Sequence, residues 1–74
     1  MQDYSVDHVK AAVAQLLRRF ENHTFSPGAI TAGLDKFKMG LVDAYQENGF
    51  AEQAAHKMAN DARKMAAKKL LFRH

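Results

Sequence analysis

The chain has 74 residues, 47% of them hydrophobic, no cysteine, and a formal net charge of +3. That length holds one domain, and the missing cysteine excludes disulfides, thiolate zinc sites and cysteine nucleophiles together. A reducing, cytoplasmic setting is the expectation, since small secreted domains usually need disulfide staples. The first residues carry no basic stretch followed by an apolar run, and nowhere does an apolar run approach the roughly 20 residues that cross a bilayer.

One proline and four glycines among many alanines, leucines, lysines and glutamines favour helix over strand. The first helix is expected over residues 6–22, capped by the Ser5 hydroxyl. Tyr4 and Val9 are placed to form a hydrophobic staple across that cap. Val6, Val9, Val13, Leu16 and Phe20 recur at spacings of three and four, which keeps one face apolar.

The second helix is expected over residues 27–48. Ser26 caps it, and Pro27 occupies the first position, where a missing amide costs nothing. Ile30, Leu34, Phe37, Leu41 and Tyr45 form its stripe, and Asn48-Gly49 ends it with a left-handed glycine. Phe50 is placed to fold back onto Tyr45. Gly33, Gly40 and Ala44 line one flank, and each mid-helix glycine costs up to about 1 kcal/mol relative to alanine. Close packing against a third helix rich in small residues is the expected offset, and a groove for a partner helix is the functional alternative.

The third helix is expected over residues 51–70. At about 100° per residue, Ala51, Ala54, Ala55, Met58, Ala59, Ala62, Met65 and Ala66 share one arc. Short connections between three such helices predict an all-α three-helix bundle. The rival is a helical hairpin that dimerises into a four-helix bundle. A core this small makes association with a second copy or a partner a natural supplement.

Charge is uneven along the chain. Residues 51–74 hold six bases against two acids, a local excess of +4, while the earlier residues nearly balance. Lys57, Lys64 and Lys68 fall on one side of the third helix, with Arg63 on its flank. A row of cations at helical spacing can track a phosphate backbone without reading bases. The competing account is a solvated face that complements the negative end of the helix dipole.

Signals for catalysis are weak. Ser5 and Ser26 are accounted for as caps, with no glycine-rich elbow and no evident histidine base. Glu52 and His56 stand one turn apart, but structural zinc needs four ligands and no second pair has the spacing. No metal, cofactor or small-molecule substrate is indicated, and the chain reads as a non-enzyme. A helix-turn-helix across Asn48-Gly49 fits poorly, because Tyr45 stands where a small residue is wanted.

Apolar residues off the main stripes hint at a second buried surface. Met39 and Val42 point away from the second helix's stripe, and Leu70, Leu71 and Phe72 cluster between basic residues at the end of the third. The expected function is therefore a small helical interaction protein of regulatory or adaptor type. It would bind a partner protein or a second copy of itself. Nucleic-acid binding through Lys57, Arg63, Lys64 and Lys68 is the alternative.

Overall fold

The computed structural model describes residues 3–21 and 25–71. Three helices account for most of them: α1 (Val6–Glu21), α2 (Pro27–Glu47) and α3 (Glu52–Leu71), with no strand among the described residues. The architecture is the expected three-helix bundle, and one chain closes its own core, so the dimeric hairpin is not the fold. None of these helices is long and apolar enough to cross a membrane.

Local chemistry sets the helix ends. The Ser5 Oγ accepts the His8 N–H at 3.3 Å, and the Ser5 carbonyl takes the Val9 N–H at 3.2 Å. Ser26 sits in extended backbone and its Oγ accepts the Ala29 N–H at 3.3 Å, with Pro27 following. The end of α2 is a Schellman turn: Phe50 N–H bonds the Tyr45 carbonyl at 3.0 Å and Gly49 N–H bonds the Gln46 carbonyl at 3.1 Å. Gly49 takes φ +94°, which an L side chain rarely adopts. Phe50 is buried, and its ring meets Tyr45 edge-on at 5.8 Å. Gly49→Ala should therefore cost about 1–2 kcal/mol in a urea melt, with the helical circular dichroism of the folded state unchanged.

The bundle measures 39 × 19 × 17 Å, and α3 is its spine, packed against both other helices. Ala55, Met58, Ala59, Ala62 and Ala66 of α3 have no exposed surface. Four alanines in that set make a thin ridge, so large side chains from both partners can close over it. Val9, Val13 and Leu16 come from α1, and Ile30, Leu34 and Tyr45 from α2. Two polar contacts fix the flanks of α3. Arg63 pairs with Asp35 on α2, and Asp61 accepts the hydroxyl of Tyr4 just before α1.

Three expectations need correction. Gly33 and Gly40 do not face the alanine ridge of α3. A Cβ at Gly33 would meet the Phe20 ring of α1 at 3.3 Å, and one at Gly40 would meet nothing within 4 Å among the described residues. The reason is angular. Asp35 marks the flank of α2 turned to α3, and Gly33 and Gly40 lie well over a quarter-turn from it, on the α1 side. Ala44, on the same flank, is half-buried. Val42 and Leu70 are not surplus either, because both pack against the core. Val6 is 53% exposed at the very start of α1, so it belongs to the surface rather than the stripe.

Candidate functional site

α1 and α2 meet through aromatic rings at both ends of their shared length. At one end the Tyr45 hydroxyl donates to the His8 carbonyl at 3.2 Å, and the His8 ring packs against Tyr45 and Phe50. At the other, Phe20 meets Phe25 edge-on at 4.7 Å and covers Gly33. Between these junctions lies a groove of about 450 Å³. Its floor and walls are Leu16, Phe20, Phe37 and Leu41, with Ala12, Gly33 and Gly40 leaving the width. Arg19 and Gln15 rim the α1 side, and Lys36 rims the α2 side. The groove is open because Gly40, where a Cβ would meet nothing within 4 Å, carries no side chain and Ala12 opposite carries one methyl group, while Phe20 already lies over Gly33. A sequence signal for it was present in the seven-residue spacing of Gly33 and Gly40, two turns of one flank; the partner assigned to that flank was the wrong helix.

The basic row on α3 is real in part. Lys57, Lys64 and Lys68 are all exposed, and their spacing puts them on one side of the helix. Arg63 is separated from that row by about a third of a turn. Its guanidinium donates to Asp35 Oδ1 from Nη2 at 3.0 Å and from Nε at 3.1 Å. Asp61 sits inside the row, and the Lys57 ammonium lies 5.5 Å from the Tyr4 ring centroid, a cation–π contact. The face is therefore mixed rather than uniformly positive.

Tyr4, placed by sequence as a staple partner of Val9, makes a long-range contact that the sequence did not disclose. Its hydroxyl donates to Asp61 Oδ2 at 2.6 Å, tying the chain before α1 to the middle of α3. That hydrogen bond to a carboxylate, helped by partial burial, pushes the phenol up to about 12. Burial also raises Tyr45. The hydroxyl donates only while protonated, and its folded value lies above the unfolded 10.0. The clasp is thus fully present below about pH 10 and is lost as pH climbs towards 12. Asp61→Asn should return the Tyr4 ionisation towards its ordinary value, read from tyrosinate absorbance against pH, and leave Tyr45 high.

Other polar groupings are local. His8 Nδ1 lies 2.7 Å from Ser5 Oγ, a pairing the sequence did not reveal. The same oxygen already caps α1, and no carboxylate orients the far nitrogen of His8 among the described residues, so the pair lacks the third member of a hydrolytic triad. Glu52 and His56 stand 4.0 Å apart on the exposed face of α3. No group of three or more metal-ligating side chains occurs among the described residues.

The apolar candidates separate. Met39 is 70% exposed and Leu71 38% exposed, while Val42 and Leu70 are half-buried against the core and Phe72 lies outside the described residues. The short turn from Glu47 to Glu52 sets α2 and α3 antiparallel, and the Asp35–Arg63 pair fixes their level, which puts Met39 about 18 Å along the axis from Leu71. They do not make one patch.

No protein family, no curated protein and no solved structure matches this chain.

Proposed function

We propose that this chain is a small, non-enzymatic helical module, regulatory or adaptor in type, that binds another protein through the groove between α1 and α2. The observation that carries the reading is the open space at Gly40 within an otherwise apolar groove. Two mid-helix glycines are an expense of up to about 1 kcal/mol each, and Gly40 gains no contact within the chain to offset it. A docked partner would supply that contact. Met39 and Leu71 are secondary candidates as separate exposed residues. The absence of cysteine fits a reducing, cytoplasmic setting.

Nucleic-acid binding is the second reading, supported by the shared face of Lys57, Lys64 and Lys68. It is the weaker one, because Arg63 is committed to Asp35 and Asp61 interrupts the row.

Both readings are tested by one set of measurements. The purified chain is titrated into labelled double-stranded DNA, single-stranded DNA and RNA at low and physiological salt. In parallel, wild type and Gly40→Leu are compared for capture of protein partners by crosslinking in cells. Capture that Gly40→Leu abolishes, with no nucleic-acid binding at physiological salt, is the expected result. Equal capture by both proteins, or nucleic-acid binding that persists at physiological salt and falls on Lys64→Gln/Lys68→Gln, would overturn it.

A further inference from the structure

We infer that the occupant of the α1–α2 groove is an amphipathic helix with acidic flanks. This rests on the protein-binding reading above and adds the chemistry of the partner. Three observations lead to it, the first concerning backbone. Both walls of the groove are helices whose N–H and C=O groups are satisfied internally along its length, so the walls offer an incoming chain no ladder of hydrogen bonds. A strand laid there would bury its own backbone unpaired. A helix carries its hydrogen bonds with it and can present apolar side chains at i, i+3 or i+4, and i+7. Gly33 to Leu41 spans about two turns, which matches such a set.

The second observation is charge. The charged side chains that rim the groove are Arg19 on α1 and Lys36 on α2, with no carboxylate among its lining residues. Neither cation has a carboxylate partner among the described residues, in contrast to Arg63, which has Asp35. Cations on both rims select acidic residues on both flanks of the incoming helix and disfavour basic ones.

Third, the same rims argue against a second copy seated groove to groove. A two-fold pairing of that surface puts Arg19 and Lys36 on both sides of one contact, four cations with no carboxylate in the groove lining, in a chain whose net charge is already +3. Phosphates would find the cations but not a use for the Leu16, Phe37 and Leu41 surface. An acidic amphipathic helix satisfies both parts of the lining.

The test uses the full chain and a displayed library of helical peptides about four turns long, with leucine fixed on one face and every other position free to be Glu, Lys, Gln or Ala. Selected peptides are resynthesised and their affinity for three proteins is read by fluorescence anisotropy: wild type, Gly40→Leu, and Arg19→Glu/Lys36→Glu. Gly40 is exposed and a Cβ added there meets nothing within 4 Å, so Gly40→Leu should fold while the rest of its side chain occupies the groove. The expected outcome is enrichment of Glu-flanked peptides that bind wild type about tenfold more tightly than their Lys-flanked counterparts, the worth of two rim ion pairs. That preference should reverse in Arg19→Glu/Lys36→Glu, and both peptides should lose binding to Gly40→Leu. Enrichment of neutral or basic peptides that Gly40→Leu still abolishes overturns the acidic occupant and keeps the groove. No enrichment, or peptides indifferent to Gly40→Leu, overturns the groove as a docking site and the reading it rests on.

Discussion

Leu34→Ala should remove a large part of the stability of this protein, about 3–5 kcal/mol, by the cost of a cavity left in a packed core. Leu34 has no exposed surface and is among the three largest fully buried side chains, with Met58 and Val9. It projects from α2 onto the alanine ridge of α3. The ridge alanines cannot swing into a vacated space, and Met58 is the long side chain of α3 buried beside them, so the cavity will relax in part at most. A domain of this size is stabilised by only about 4–11 kcal/mol, and a loss of 3 kcal/mol corresponds to a fall of at least about 12 °C in Tm. Urea and thermal melts followed by circular dichroism give the measurement. Leu71→Ala, an exposed leucine at the end of α3, is the control and should shift the transition by less than about 0.5 kcal/mol. If Leu34→Ala behaved like Leu71→Ala, the α2–α3 packing would be wrong in register.

The elements of this fold were legible because their signals are short-range. Ser26-Pro27 and Asn48-Gly49-Phe50 encode their own backbone geometry, and the structure shows the cap bond and the Schellman turn that those residues specify. The three- and four-residue spacing of Val9, Val13 and Leu16, and of Ile30, Leu34, Phe37, Leu41 and Tyr45, names the inward faces without reference to any partner. What the spacing does not encode is which neighbour meets which flank. Gly33 and Gly40 were legible as an exceptional pair on α2, yet their assignment to α3 required knowing that Asp35 and Arg63 would pair on the other flank. Long-range polar contacts were likewise invisible, because Tyr4 and Asp61 are 57 residues apart in sequence. Lys69 illustrates the same limit. It falls on the apolar arc of α3, but it is exposed, while Leu70 beside it packs against the core.

Ala62→Leu and Gly40→Leu introduce the same side chain into two neighbouring helices, and they should have opposite effects. Ala62 has no exposed surface and lies in the ridge over which α1 and α2 close. Three additional carbon atoms there have no space, so either α3 separates from its partners or the large side chains opposite leave their rotamers. Overpacking of that kind costs about 1–3 kcal/mol, and more where backbone must move. Alanine and leucine have nearly equal helix propensity, so the loss reads packing and little else. At Gly40 the sign reverses. An added Cβ meets nothing within 4 Å among the described residues, and removing a mid-helix glycine gains up to about 1 kcal/mol. Urea midpoints for the two variants, beside the wild type, decide the matter. A fall for Ala62→Leu with no fall for Gly40→Leu establishes that the small residues of α3 are consumed by the protein's own core, whereas those of α2 leave space that the core does not use. Stability lost at Gly40 as well would mean that α1 already fills the groove in solution, and the groove could then admit a partner helix only by parting α1 from α2.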